Sequence, residues 1–304
     1  MTAVGSATAV VVNWRTAELA RRAAEALIGD ALAPERVVVV DNASGDGGAE
    51  RLEAALPRCR VVRLGTNAGY GAGCNAGARS LPGTAYLFAN SDAFVHRPGS
   101  VAALVDALGD PRAGISVPRL LNEDLTLQPS VVPRSTPLPE LVRASGLSRF
   151  LPNDWQPSLS THWDHARSRR VQAAIGAVLC VRADVWDLLG GFDERRFMYA
   201  EEHDLYWRAA ERGLIVRFVA EAEFVHLGGA STGRRWSDTR RAAEVARADA
   251  AVIRDHLGPV SARITLGLMA LGVGLRAAAH GVLGDRDAAA TERALLRGYL
   301  GGVR

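Results

Sequence analysis

The chain has 304 residues, 48% hydrophobic and 23% charged, enough for a sizeable core and unlike disordered, collagen-like or low-complexity sequences. Its cysteines, Cys59, Cys74 and Cys180, are odd in number and far apart, which excludes a disulfide framework or a cysteine zinc site and fits a reducing cytoplasm. All 36 basic side chains are arginine, and the net charge of +3 divides into −2 over residues 1–233 and +5 over residues 234–304. The basic excess of the last quarter suits an anionic membrane surface or phosphates, and no basic stripe interleaved with aromatics points to nucleic acid.

In chain order, the apolar run 9–13 ends at Asn13 and reads as a buried strand. Leu19, Ala23, Ala24, Leu27 and Ile28 repeat at helical spacing, and 37–41 is a second buried strand ending at Asp41. A Gly-rich loop and short helix precede a third strand at 60–64; a Gly-rich turn and helix lead to a fourth at 85–89. Strands alternating with helices predict an α/β fold with a mostly parallel, Rossmann-like sheet covered on both faces. Ligands bind such sheets at the carboxyl ends of the strands, where Asn13, Asp41, Asn67 and Asn90-Ser91-Asp92 fall.

From Pro118 to about Arg170 the pattern dissolves into Pro-rich sequence, a length of connection that signals function or mobility. Order resumes with a strand at 173–181, a helix closed by Gly190-Gly191, a helix from Glu201 to Gly213, and strands at 214–219 and 224–226. Residues 240–256 form an amphipathic Ala/Arg helix, with more helix after it. No signal peptide is predicted, and the longest apolar stretch, 264–275, has 12 residues where a span needs about 20. The expectation is a chain that is soluble or lies on a membrane without crossing it. Two domains are expected, 1–233 and a basic helical extension, 234–304.

Each chemical motif has a plainer alternative. Gly71-x-Gly73-x-x-Ala76 matches a dinucleotide fingerprint but follows the third strand instead of the first, which favours helix-to-sheet packing. Asn90-Ser91-Asp92 is an Asx turn or a seat for a divalent cation. Glu201-Glu202-His203-Asp204 is a helix cap or the setting of a general base; three carboxylates exceed what capping needs. His226 is a structural histidine or a metal ligand, with Arg234-Arg235 beyond it suited to phosphate.

Six segments in order resemble glycosyltransferase family 2 enzymes of GT-A fold, nearest to the bacterial rhamnosyltransferase-like group. They are VVVNW at 10–14, VVVVDNASGDGG at 37–48, NAGYGAGCNAG at 67–77, LFANSDAF at 87–94, the run 176–208 from Gly176 to Arg208, and FVHLGG at 224–229. The resemblance implies that Asn13 and Asp41 line a nucleoside pocket, Gly69 and Asn75 lie beneath the nucleotide, and Asn90 and Arg234 also face it. Asp92 takes the metal-binding position of the D-x-D motif, here with Asn90 at its first place, and His226 is a second metal ligand for Mg²⁺ or Mn²⁺. Glu201-Glu202 occupies the E-D pair, with Glu202 the general base. The implied activity is inverting transfer of a sugar, rhamnose from dTDP-rhamnose, to a saccharide or lipid-linked saccharide hydroxyl in cell-surface glycan synthesis. That work would be done in the cytoplasm, with peripheral membrane contact through the C-terminal segment at the inner face of the plasma membrane. The alternatives are an NAD(P)-dependent oxidoreductase, resting on the glycine motif, and an inactive glycan-binding protein.

Overall fold

The computed structural model describes residues 4–159, 163–228 and 238–303. The chain divides into two compact units, one of residues 1–131 and 165–231, the other of residues 132–164 and 232–304.

In the first unit, strands β1 (Thr8–Asn13), β2 (Val37–Asp41), β3 (Arg60–Arg63) and β4 (Ala85–Asn90) pair parallel in the order β3-β2-β1-β4. Helices α1 (Ala17–Asp30), α2 (Gly48–Ala55) and α3 (Tyr70–Ser80) connect them. Every residue of β1 and β2 is buried, as uninterrupted valine runs predict for strands covered on both faces. The small residues of α3 let it lie against those valines: a Cβ at Gly73 would come 2.9 Å from Val12, and one at Gly77 would come 2.3 Å from Val10. Close packing is therefore the work of the glycine fingerprint.

Beyond β4 come β5 (Ala93–Val95), α4 (Ser100–Asp106), β6 (Ala113–Leu121), β7 (Leu127–Gln128) and β8 (Val131–Val132). The second unit then contributes α5 (Pro137–Ala144) and α6 (Gln156–Leu159), and the first resumes with β9 (Arg169–Val171), β10 (Ala173–Ala174), β11 (Val178–Arg182), α7 (Ala183–Leu189), α8 (Glu201–Glu211) and β12 (Ile215–His226). The sheet continues from β4 as β11-β6-β12-β5, with β11 antiparallel to β4 and β6, and β12 parallel to β6. By these directions the C-terminal end of β12 lies at the same sheet edge as those of β1, β2 and β4.

Three expectations are revised. The strand expected at 173–181 is interrupted at Ile175-Gly176-Ala177. The strands expected at 214–219 and 224–226 are one strand, β12, whose register against β6 shifts between Val219 and Glu223. The segment from Pro118 onward begins inside β6, where Val219 faces Pro118 just before that shift, a place where a missing backbone N–H is tolerated.

The second unit is helical. Helices α9 (Asp238–His256), α10 (Pro259–Val282) and α11 (Arg286–Val303) bury Ala246, Ala250, Ile253, Leu266, Met269, Val273 and Tyr299 in one core. Helix α10 has 24 residues and is long and apolar enough to cross a membrane by length and composition, unlike the 12-residue stretch read from the sequence. One face of it, including Leu266, Met269 and Val273, is buried, while Ile264, Leu271 and Leu275 are exposed.

Candidate active site

The register of the parallel strands assembles the first part of the site. Asn13 pairs with Asp41, and Val12 with Asn90, so the last residues of three adjacent strands meet at one edge. Asn13 donates from Nδ2 to Asp41 Oδ1 at 2.7 Å and to Ser44 Oγ at 3.1 Å. Its Oδ1 accepts the Thr16 amide N–H at 3.0 Å, and the Thr16 hydroxyl meets the Ser91 hydroxyl at 3.0 Å. Asp41 Oδ2 accepts the Ser44 N–H at 3.2 Å. All these side chains are buried, so their mutual bonding is what makes the cluster affordable.

The loop between α7 and α8 is held from beneath. Asn75 Nδ2 donates to the Phe192 carbonyl and to Glu194 Oε1, both at 2.9 Å, while Asn75 Oδ1 accepts the Phe192 N–H at 2.9 Å. Asn75 is thus a clamp on this loop. Gly69 has φ +97°, and a Cβ there would fall 1.9 Å from the Phe197 carbonyl oxygen, so only glycine fits. The ring of Phe192 packs edge-on against Phe88 and Trp186, with centroids 5.4 and 5.3 Å away. The loop ends with two non-glycine residues in the left-handed region, Tyr199 (φ 69°) and Ala200 (φ 61°), immediately before α8. Such strain persists only where surrounding contacts impose it, and it collects at functional sites.

Helix α8 opens with the carboxylates. Asp204, buried, accepts from Arg208 Nε at 2.7 Å and from Arg196 at 3.3 Å, which makes it an anchor for the helix. Glu201 is buried and its Oε2 has no hydrogen-bond partner. Burial first, and then the neighbouring Glu202 carboxylate, raise its pKa to about 8. Glu202 is half-buried and accepts the Gly176 N–H on Oε1 at 3.1 Å. At neutral pH Glu201 thus keeps its proton, while the Glu202 carboxylate is held by the Gly176 N–H.

The break in the expected 173–181 strand explains how Glu202 joins the rest. Gly176 binds Glu202, and the next residue, Ala177, accepts the Asn90 N–H at 2.8 Å. A Cβ at Gly176 would come 2.9 Å from Glu202 Cγ, so the carboxylate side chain occupies the space a larger residue would take. A continuous polar chain therefore runs from Asp41 through Asn13, Thr16 and Ser91 to Asn90, Ala177, Gly176 and Glu202.

Asp92 follows Asn90 and Ser91, and its Oδ1 lies 3.5 Å from His226 Nε2 at the end of β12. Both side chains are about nine-tenths buried, at 7% and 11% exposed. Leu227 N–H donates to the Asp92 carbonyl at 3.0 Å, and Ala93 pairs with His226, which locks the two strand ends together. Among the described residues no group of three or more His, Cys, Asp or Glu could hold a metal ion. The donor set is one carboxylate oxygen and one imidazole nitrogen facing each other. That suits a cation whose remaining positions are filled by phosphate oxygens and water, the usual habit of Mg²⁺. Arg234 lies outside the described residues. The sequence reading gave no part to Thr16, Gln128 or Gly176 and named Ser91 only within Asn90-Ser91-Asp92; Gly176 and Ser91 each lie inside one of the six motifs.

A family model for "Glycosyl transferase family 2" matches residues 8–174, more than half of the chain. The chain is 34% identical over 217 residues to an N-acetylglucosaminyl-diphospho-decaprenol L-rhamnosyltransferase of Mycobacterium tuberculosis, covering 66% of this chain and 69% of that protein. Among solved structures, it is similar to a mannosyltransferase of Pyrobaculum calidifontis in complex with GDP-Man and Mn²⁺, with a TM-score of 0.59 at 15% identity over 100% of this chain and 89% of that one. It is also similar to TarS 1-349 of S. aureus in complex with UDP-GlcNAc, with a TM-score of 0.59 at 13% identity over 98% and 82%. The six ordered motifs, the strand-end site and these likenesses agree: the chain belongs to glycosyltransferase family 2 and has the GT-A fold.

Proposed function

We propose that this glycosyltransferase transfers rhamnose from dTDP-rhamnose, with inversion, to a hydroxyl of a lipid-linked saccharide at the cytoplasmic face of the plasma membrane, in cell-surface glycan synthesis. The observation that carries the reading is the polar chain from Asp41 to Glu202, which sets the Asn13–Asp41 cluster and the Glu202 carboxylate along one sheet edge. The relative of M. tuberculosis supports the sugar and the acceptor class. Asn13 and Asp41 line the nucleoside pocket; Gly69, Asn75 and Asn90 shape the floor and rim of the site, and Arg234 meets the diphosphate. Glu202, its Oε1 held by Gly176, receives the acceptor proton on its other carboxylate oxygen as that hydroxyl attacks the anomeric carbon. Attack from the face opposite the leaving nucleotide inverts the centre without a covalent intermediate, through an oxocarbenium-like transition state. Asp92 Oδ1 and His226 Nε2 would hold a Mg²⁺ or Mn²⁺. Bound there, the ion supplies charge neutralisation for the departing diphosphate.

A calorimetric panel of dTDP-rhamnose, other nucleotide-sugars and NADH tests this, with product configuration read by NMR. The expected result is tightest binding and inverted product with dTDP-rhamnose, weakened by EDTA and restored by Mg²⁺ or Mn²⁺. Binding of NADH alone would favour an oxidoreductase; nucleotide-sugar binding without turnover would favour an inactive glycan-binding protein.

The segment 234–304 is the proposed peripheral membrane contact. Arg241 is half-buried and Arg247 exposed, and each has an i,i+3 partner, Asp238 at 3.3 Å and Glu244 at 2.7 Å, pairs weak enough to yield to anionic lipid. Exposed Ile264, Leu271 and Leu275 on α10 add apolar contact. Co-sedimentation with phosphatidylglycerol vesicles at low salt is expected, reduced in an Arg240→Gln, Arg241→Gln, Arg247→Gln variant. Protein remaining in the supernatant would make the segment a helical cap only.

A further inference from the structure

We infer that Gln128 is a positioning residue for His226: it fixes the imidazole with its proton on Nδ1 and turns the Nε2 lone pair toward Asp92. The inference rests on the metal reading above and concerns a residue outside the six motifs.

Gln128 ends the two-residue strand β7, which pairs antiparallel with β6. Its Oε1 lies 2.8 Å from His226 Nδ1, and its Nε2 donates to Asn122 Oδ1 at 3.0 Å and to the His226 carbonyl at 3.1 Å. The orientation of this amide follows from its surroundings. A backbone carbonyl can only accept, so the nitrogen of Gln128 must face His226 O. The same end faces Asn122 Oδ1, and Asn122 is itself oriented because its Nδ2 faces the Leu127 carbonyl at 3.4 Å and, at 2.9 Å, Thr126 Oγ1, whose own proton goes to Asp124 Oδ1. Flipping Gln128 would bring its oxygen against two acceptors at once. Its oxygen therefore faces the ring, and an oxygen there requires a hydrogen on Nδ1.

A neutral imidazole with its proton on Nδ1 presents a lone pair at Nε2. Here that lone pair faces Asp92 Oδ1 at 3.5 Å, two acceptors directed at each other in a largely buried place. A cation between them resolves the conflict. Metal-bound histidines regularly donate their second ring N–H to such a partner, which orients the ring and raises the basicity of the ligating nitrogen. Gln128 binds His226 twice, at the ring and at the backbone carbonyl, so it sets both the rotation of the ring and the place of its Cα.

The test has two independent readings. In metal-free wild-type protein at a pH where histidine is neutral, ¹⁵N NMR of the ring, assigned by loss of the signal in His226→Asn, should show the Nδ1-protonated tautomer. The Nε2-protonated form overturns the proposal. In Mn²⁺ titrations followed by EPR with a nucleoside diphosphate present, Gln128→Leu should weaken Mn²⁺ binding by about 10–100-fold. Circular dichroism should confirm that Gln128→Leu folds. Equal Mn²⁺ affinity in wild type and folded Gln128→Leu overturns the proposal. Should Gln128→Leu fail to fold, the wild-type tautomer decides. Wild-type protein that binds no Mn²⁺ overturns the metal reading instead, and the tautomer alone then decides the part played by Gln128.

Discussion

The two ends of the polar chain are built on opposite principles. At the Asp41 end, Asn13, Thr16, Ser44 and Asp41 are buried and satisfy one another, so the geometry is settled before any ligand arrives. At the Glu202 end, a buried carboxyl oxygen of Glu201 lacks a partner, and the preceding residues sit in left-handed backbone. The first is cheap to maintain and suits binding. The second holds a destabilising arrangement, tolerated because the Asn75 clamp and the aromatic packing of Phe192 fix the loop around it. The proposed recognition end thus lies where the fold is relaxed, and the proposed proton-transfer end where it is strained.

The sharpest way to break the comparison is at the carboxylates. Glu202→Gln is expected to lose at least about 100-fold in turnover while nucleotide binding persists, measured by steady-state kinetics and calorimetry. Glu201→Gln, which replaces a group already protonated at neutral pH, should lose far less. If Glu201→Gln is the inactive variant, the two roles are exchanged.

Next in size is the relaxed end. Asn13→Ala leaves Asp41 Oδ1 and the Thr16 N–H each short of a partner, and should cost about 1–3 kcal/mol of stability by denaturant unfolding. Nucleotide affinity should fall with it. A neutral result would mean water takes over the cluster and that its satisfaction is not structural.

The smallest effect sharpens the strained end. The Glu201 pKa is raised from 4.5 to about 8, so between those values the folded chain holds a proton that the unfolded chain has released. Stability is then complete below about pH 4.5 and declines as pH rises through about 8. Thermal melting followed across that window should show a decline that Glu201→Gln flattens. Equal slopes in both proteins would mean that burial does not hold the proton.

Much of this was legible because its signals are local. Valine runs ending in a polar residue announce β1 and β2 and place Asn13 and Asp41 at one edge, and the helices of 240–303 follow from their composition. What stayed hidden depends on partners distant in sequence. Nothing near Gln128 tells that it will meet His226, 98 residues later. The strand β6 hides behind Pro118, a residue that argues against a strand until the register shift in β12 is known. The anchoring of Asp204 by Arg196 and Arg208 separates it from Glu201 and Glu202, a distinction that charge patterning over four positions does not contain.

Gly176 and Ala177 are adjacent links of one backbone, yet one grips the helix bearing Glu202 and the other the strand leading to Asp92. That stretch acts as a gauge block, since two consecutive residues tie the Glu202 carboxylate and the Asn90 amide, two residues before Asp92, to one piece of backbone. Its length is therefore fixed more tightly than its chemistry. Inserting or deleting one residue at 175–177 should abolish turnover even when every acidic side chain is intact.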